Sequence, residues 1–209
     1  MNVKKIDFSV LGELNTKKTC LVFIHGWGGN KDSFKKVAGS FAIKDSVWFL
    51  PQAPYLLDED NKYSWTFEKS PGKYERDEPV QMMLDFLEEQ VFSRFDSKDV
   101  FVFGFSQGAL VCYELLKILD KPIAGMFPIS GFIADQNKNI KRIHRAQINT
   151  PIVIGHGLND DVVLFNESEL AVKLLKNESN NVILEPYQGG HKIGYSYIKK
   201  IKDLIEQIH

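Results

Sequence analysis

The sequence predicts an α/β fold, in which a mostly parallel β-sheet carries helices on both faces. Short apolar runs rich in β-branched and aromatic residues alternate along the chain with stretches that have apolar residues at helical spacing. Glycine-rich or acidic segments follow several of these runs. One run, residues 100–105, leads into Gly104-Phe105-Ser106-Gln107-Gly108 and then into an apolar helical stretch, which predicts a strand, a tight turn and a helix.

In the first part of the chain, Ile6, Phe8 and Val10 alternate with polar residues and indicate an edge strand that is exposed on one face. Residues 20–24 are continuously apolar, as expected of a strand buried on both faces. A short amphipathic helix at 33–43 and a strand at 47–50 follow. The apolar residues of 52–76 follow neither helical spacing nor the two-residue alternation of a strand, so this segment is predicted to be a long loop. It contains five aromatic residues: Tyr55, Tyr63, Trp65, Phe67 and Tyr74.

In the second part, a helix is predicted to open at Glu78-Pro79, because proline is tolerated in the first helical turn. Apolar residues then fall on one face of this helix as far as residue 91. Further strands are predicted at 123–129, 151–154 and 182–184, with helices around 170–175 and 197–208. Strands separated by helices indicate right-handed βαβ units. No repeat or linker interrupts the pattern, so residues 1–209 are predicted to form a single domain.

Composition excludes several classes of function. The chain has 209 residues, of which 44% are hydrophobic, and a formal net charge of −1, which offers no electrostatic support for binding nucleic acid or an anionic membrane. No apolar run approaches the roughly 20 residues of a membrane span, and no secretory signal is visible, so the cytoplasm is the expected compartment. Cys20 and Cys112 lie in apolar runs and are predicted to be buried thiols.

Ser106 is the predicted nucleophile, and a serine hydroxyl needs a base that is itself oriented by an acid. Four histidines follow it: His144, His156, His191 and His209. His191 is favoured as the base because two glycines precede it in a loop between a strand and the last helix. His144 lies in a polar connection, and His209 is terminal. A hydrogen bond to nearby backbone would be sufficient to explain His156, which stands at a strand end.

The acid is expected at the end of a strand that precedes the histidine. Asp160 and Asp161 both satisfy this requirement, and spacing alone does not separate them. Ligands of open α/β sheets bind outside the carboxyl ends of the strands. Because the glycine-rich and acidic segments all lie at such ends, we expect them to form one site.

Five motifs occur along nearly the whole chain: His25-Gly26-Trp27-Gly28-Gly29, Pro51-Gln52-Ala53-Pro54 with Ser64-Trp65, Gly104-Phe105-Ser106-Gln107-Gly108, His156-Gly157-Leu158-Asn159-Asp160 with Val163, and Gly190-His191. In this order they resemble the motifs of the phospholipase/carboxylesterase branch of the α/β-hydrolases, which includes bacterial carboxylesterases and acyl-protein thioesterases. Three positions depart from the family pattern: Ala109, Leu164 and Phe67.

The resemblance implies an α/β-hydrolase fold and a triad of Ser106, His191 and Asp160, and so favours Asp160 over Asp161. The backbone N–H groups of Trp27 and Gln107 are the expected oxyanion donors. Trp65 is expected to line the substrate pocket rather than only to anchor the loop. The implied reaction is ester hydrolysis through an acyl-enzyme, which requires no metal and no organic cofactor.

Several alternatives stay open at this point. A thioesterase that deacylates proteins, or a lysophospholipase, would share these motifs but needs room for a long acyl chain. A peptidase would use the same triad, and a catalytically silent hydrolase fold could act as a binding module. The expected partner is an ester with a small or medium acyl group; the physiological substrate, the oligomeric state and any lid function of residues 52–76 are left open.

Overall fold

The structure is a computed structural model that describes residues 5–14, 19–58, 60–134 and 140–208. The candidate His209 therefore lies outside the described residues. The strands in these ranges are β1 (Phe8–Leu11), β2 (Thr19–Ile24), β3 (Ser46–Pro51), β4 (Tyr55–Asp58), β5 (Lys62–Ser64), β6 (Phe67–Ser70), β7 (Lys73–Glu75), β8 (Val100–Phe105), β9 (Gly125–Ile129), β10 (Ile152–Gly157) and β11 (Val182–Tyr187). The α-helices are α1 (Lys35–Phe41), α2 (Asp77–Phe86), α3 (Gln107–Ile118), α4 (Phe165–Leu175) and α5 (Tyr195–Ile208).

Seven strands form the central sheet, in the order β1-β3-β2-β8-β9-β10-β11. Every neighbouring pair is parallel except β1 and β3, in which Phe8 lies opposite Pro51 in an antiparallel register. The predicted mostly parallel sheet and the predicted edge strand at the start of the chain are thus confirmed. Because the six other strands run in the same direction, their carboxyl ends meet at one edge of the sheet.

Helices pack on both faces of the sheet, as predicted. Successive residues of a strand point to opposite faces. In β2, Cys20 and Val22 pack in the core layer under α2, α3 and α4, whereas Leu21 and Phe23 pack in the layer under α1 and α5. Burial on both faces explains why this strand has a continuous apolar run instead of alternation.

Residues 52–76 are the main departure from the predicted elements. They contain two antiparallel hairpins, β4–β5 and β6–β7, where the sequence predicted a long loop. These strands are only three or four residues long, and each pairing has a register shift, between Leu56 and Asp58 and between Glu68 and Ser70. A bulge interrupts the two-residue alternation of side chains, so the sequence carries no strand pattern here.

The helices and cysteines follow the predictions closely. Helix α1 is shorter than predicted, and α2 continues as a π-helical turn over Leu87–Val91. Cys20 and Cys112 are free and buried, and burial raises the pKa of each thiol. In the part of the chain that is described, no helix has the length and apolar character needed to cross a membrane.

Candidate active site

The carboxyl edge of the sheet collects the predicted site residues. Trp27 lies in the loop after β2, Ser106 follows β8, Asp160 lies in the loop after β10, and His191 lies in the loop after β11. Strands β2 and β8 are direct neighbours, as are β10 and β11, and β9 lies between the two pairs. The parallel topology therefore brings together residues that are far apart in the chain.

Ser106 lies on a strained turn between β8 and α3, with φ of 54° and ψ of −114°. Its N–H donates to the Ile129 carbonyl at 2.8 Å, which ties the turn to β9. A Cβ atom on Gly108 would lie 2.1 Å from the Ile24 carbonyl oxygen, and one on Gly104 would lie 2.2 Å from the Gly108 oxygen. Only glycine fits at these two positions, and the close approach that it permits leaves Ser106 at the N-terminus of α3.

Asp160 and His191 are joined by a hydrogen bond of 2.8 Å between Oδ2 and Nδ1. The other oxygen of Asp160, Oδ1, accepts from the N–H groups of Val162 and Val163, both at 3.0 Å. Burial raises the pKa of Asp160, but the hydrogen bonds from His191 and from these two N–H groups outweigh it and hold the pKa below its ordinary value. An ionised carboxylate only accepts, so His191 carries its proton on Nδ1 and presents Nε2 as an acceptor.

The His191 ring also contacts the residue that precedes the nucleophile. Its centroid lies 4.8 Å from that of the Phe105 ring. The structure thus brings His191 to the elbow and binds it to Asp160. The neighbouring Asp161 is exposed.

The other two described candidate histidines have structural contacts. His156 is fully buried, with Nδ1 2.6 Å from Ser168 Oγ and Nε2 2.8 Å from the Val163 carbonyl oxygen. Because Nε2 must donate to a carbonyl, Nδ1 accepts from Ser168, and the ring supports the loop that carries Asp160. The backbone hydrogen bond expected for His156 is present. His144 is partly exposed, and its Nδ1 accepts from the Ala146 N–H.

His25 has a role that the sequence did not indicate. Its Nε2 accepts from the Ala53 N–H at 3.0 Å, so Nδ1 carries the proton and donates to the Gly26 carbonyl at 2.8 Å. Burial lowers its pKa to about 4, against a smaller opposing effect of the Gly26 hydrogen bond, so the ring is neutral at pH 7. The imidazole therefore holds the glycine-rich loop against the segment that follows β3.

The same loop is bound to β5. The Gly28 N–H donates to the Tyr63 carbonyl at 2.9 Å, and the Tyr63 N–H donates to the Gly29 carbonyl at 3.0 Å. A Cβ atom on Gly26 would lie 3.2 Å from Ser106 Cβ, so the loop passes directly beside the nucleophile. Between these anchored positions lies Trp27, a residue that is 69% exposed.

The predicted oxyanion donors lie on the two segments that meet at Ser106. Trp27 belongs to the loop beside it, and Gln107 is the first residue of α3. Within the described ranges, neither backbone N–H donates to a protein acceptor. Their role as oxyanion donors stays a prediction.

A cavity of about 680 Å³ opens beside these residues, between the two hairpins, α3 and the segment after β9. Its volume lies within the range of pockets that hold small organic ligands. Apolar and polar side chains share its walls: Trp27, Tyr55, Leu56, Leu57, Ser64, Thr66, Phe67, Glu68, Gly72, Tyr74, Arg76, Gln107, Leu110, Phe132 and Ala134. Among the described residues, no three His, Cys, Asp or Glu side chains are grouped as metal ligands.

Trp65 is not on the wall of this cavity, which corrects the expectation that it lines the substrate pocket. Its side chain is fully buried, its indole Nε1–H donates to the His25 carbonyl at 2.9 Å, and its ring packs 5.4 Å from the His25 ring. A buried indole needs an acceptor for its N–H, and here the acceptor is the His25 carbonyl rather than a group that lines the cavity. The sequence neighbours Ser64, Thr66 and Phe67 line the cavity instead.

Comparison with known proteins identifies the family. A sequence model described as Phospholipase/Carboxylesterase matches residues 7–209. Acyl-protein thioesterase 1 of Candida albicans is 26% identical, over 99% of this chain and 100% of its own. Carboxylesterase SOBER1 of Arabidopsis thaliana is 22% identical, over 91% of this chain and 90% of its own.

Among solved structures, the chain is similar to the crystal structure of esterase PE8, with a TM-score of 0.83, 24% identity and coverage of 99% of this chain and 100% of that one. That likeness concerns the fold, which is the α/β-hydrolase fold expected from the motifs. The family match extends over nearly all of the chain, including every segment that contributes to the carboxyl edge. This protein belongs to the phospholipase/carboxylesterase family and is a serine hydrolase of the esterase type.

Proposed function

We propose that this enzyme hydrolyses carboxylic esters with Ser106 as nucleophile, His191 as general base and Asp160 as the acid that orients the base. The observation that carries the proposal is the 2.8 Å hydrogen bond between Asp160 and His191 Nδ1, because it leaves Nε2 free to take a proton. The contact of His191 with Phe105 supports the assignment by placing the imidazole at the elbow.

In the first step, Ser106 Oγ forms a bond to the carbonyl carbon of the ester while His191 Nε2 takes the hydroxyl proton. Negative charge develops on the carbonyl oxygen. The N–H groups of Trp27 and Gln107, which have no acceptor among the described residues, are the proposed donors to it, and the N-terminus of α3 adds a favourable potential. Asp160 stays ionised and stabilises the imidazolium.

In the second step, the carbon–oxygen bond to the leaving group breaks, and His191 donates its proton to the departing alcohol, or to the sulfur of a thioester. The acyl group is then bound to Ser106. Water attacks this acyl-enzyme with His191 again as base; the bond between the acyl carbon and Ser106 Oγ then breaks, His191 returns the proton to Oγ, and the carboxylic acid is released. No step requires a group beyond the side chains and backbone named here.

The cavity of about 680 Å³ supports an acyl substrate, because Trp27 and Gln107 are among its lining residues and much of the rest of its wall is apolar. Its mixed walls favour a small or medium acyl group as the leading candidate. The same volume supports a second candidate, a long-chain thioester or lysophospholipid, and several relatives are named acyl-protein thioesterases. Chain-length preference separates the two.

The test is the hydrolysis of p-nitrophenyl esters from acetate to palmitate by the wild type, Ser106→Ala and His191→Ala. Each variant is expected to lose on the order of 10⁴-fold or more in kcat, with similar losses because triad members act as a unit. Wild-type turnover in either variant would contradict the proposal. A rate maximum at short chains supports the small-ester candidate, and one at long chains supports the second. The absence of Ser106-dependent hydrolysis at every chain length would favour a silent fold.

A further inference from the structure

The side chain of Gln107 is bound to the segment formed by the end of β5 and the two residues after it. Its Oε1 accepts from the Trp65 N–H at 2.8 Å, and its Nε2 donates to Ser64 Oγ at 3.0 Å and to Thr66 Oγ1 at 2.8 Å. The Ser64 hydroxyl donates its own proton to the Thr66 carbonyl at 2.6 Å. Ser64 Oγ is therefore an acceptor toward Gln107, which determines the orientation of the amide group.

The same segment also holds the glycine-rich loop. Tyr63 exchanges two backbone hydrogen bonds with Gly28 and Gly29, and the Trp65 indole donates to the His25 carbonyl. Residues 63–66, which we call the brace, thus bind the loop that carries Trp27 on one side and the Gln107 side chain on the other.

This arrangement connects the two proposed oxyanion donors. Trp27 and Gln107 belong to different elements, the loop after β2 and helix α3, so no single element determines the distance between their N–H groups. Donors must lie about 2.7–3.1 Å from the developing oxyanion, and a displacement near 1 Å can reduce the rate about 100-fold. A side-chain connection from one donor residue to the support of the other limits such displacement.

We propose that the Gln107 carboxamide is a positioning group, which holds the brace against α3 and thereby sets the separation of the Trp27 and Gln107 N–H groups. This inference rests on the proposed function of those N–H groups. A glutamine suits the role because its amide accepts from one backbone N–H and donates to two hydroxyl oxygens. The side chain acts through the brace, whereas the backbone N–H of the same residue acts on the substrate.

Gln107→Met and Gln107→Ala test the proposal, since both retain the backbone N–H and remove all three side-chain bonds, and methionine nearly preserves the volume. With p-nitrophenyl acetate, whose short acyl group makes few cavity contacts, kcat should fall roughly 10- to 100-fold in both variants while KM changes less than about threefold. An alkylboronic acid, which forms a tetrahedral adduct with the serine, should bind more weakly by a similar factor. Gln81→Ala is the matched control, because Gln81 is an exposed glutamine on α2 whose side chain donates to Asp85.

The proposal would be overturned if kcat stayed within about threefold of wild type in both Gln107 variants. It would also be overturned if the variants raised KM and left kcat unchanged. Thr66→Val provides a second test that keeps Gln107 itself: it should reduce kcat, and the reduction should disappear in the Gln107→Met background, because the bond is already absent there. Equal effects of Thr66→Val in both backgrounds would refute the coupling.

Ser106→Ala, assayed in parallel, separates the positioning role from the proposed function. Activity that survives Ser106→Ala contradicts the proposed function. Activity that depends on Ser106 but is unaffected in the Gln107 variants contradicts only the positioning role.

Discussion

At the scale of single residues, the loop after β10 carries two adjacent carboxylates in opposite environments. Asp160 is 6% exposed and accepts hydrogen bonds from His191 and from two backbone N–H groups, whereas Asp161 is exposed. An ionised Asp160 holds the Nδ1–H tautomer of His191. An amide at this position could turn its NH₂ group toward Nδ1 and so favour the tautomer that cannot act as a base through Nε2.

Asp160→Asn should therefore reduce kcat by on the order of 10⁴-fold, and Asp161→Asn should stay within about threefold of wild type. The measurement is steady-state hydrolysis of the best p-nitrophenyl ester, with Asp161→Asn as the matched control. Equal losses in the two variants, or a larger loss in Asp161→Asn, would show that the acid has been misassigned.

The site residues differ in how far their positions could be predicted from the sequence. The position of Ser106 on a tight turn could be predicted because its two glycines are a steric requirement, and the position of His191 at the same edge because of the glycines before it; their catalytic roles stay a proposal. Asp160 could be separated from Asp161 only by resemblance, since neighbouring aspartates have the same spacing to any partner. Trp65 was placed on the wrong surface because a periodicity-free segment gives no information about which way a ring points.

At the scale of elements, the two hairpins of residues 55–75 form one wall of the cavity. They were predicted as a loop because their short, bulged strands hide the alternation of side chains. Phe67, at the start of β6, is 40% exposed, lines the cavity and packs edge-on against Tyr55 with centroids 4.8 Å apart. Its ring provides apolar surface that an acyl chain can cover.

Phe67→Ala should reduce the preference for medium over short esters. Each buried methylene contributes about 0.8 kcal/mol, close to fourfold in kcat/KM, so loss of one apolar wall should lower the octanoate-to-acetate ratio by roughly 5- to 10-fold. Comparing kcat/KM for the two esters measures this ratio. Tyr195→Ala is the control, because Tyr195 is 80% exposed and does not line the cavity. An unchanged ratio in Phe67→Ala would place the acyl chain elsewhere.

At the scale of the whole molecule, the sequence predicts the parallel sheet but not the order of its strands. Apolar runs report how deeply a strand is buried and say nothing about its neighbours, so the adjacency of β2 and β8 could not be read from them. That adjacency places the glycine-rich loop beside Ser106. It also buries His25, which makes the stability of the fold depend on pH.

The sign of this dependence follows from the shifted pKa. Burial lowers the pKa of His25 to about 4 from its ordinary value of 6.5. Between these values the unfolded chain binds a proton that the folded protein does not, so the free energy of unfolding decreases as pH falls from 6.5 to 4. The difference between the two pKa values of His25 corresponds to about 3 kcal/mol in the free energy of unfolding. Asp160, whose pKa in the folded protein lies below its ordinary value of 3.8, contributes stability that is lost only at lower pH.

Urea unfolding measured between pH 7.5 and 4.5 should therefore show a steady loss of stability in the wild type. His25→Asn should flatten this slope, because asparagine does not titrate but can still donate to the Gly26 carbonyl. The comparison of the two slopes isolates His25 from the other titrating groups, which are common to both proteins. Parallel curves would show that His25 does not determine the acid sensitivity of the fold, whatever the absolute stability of the variant.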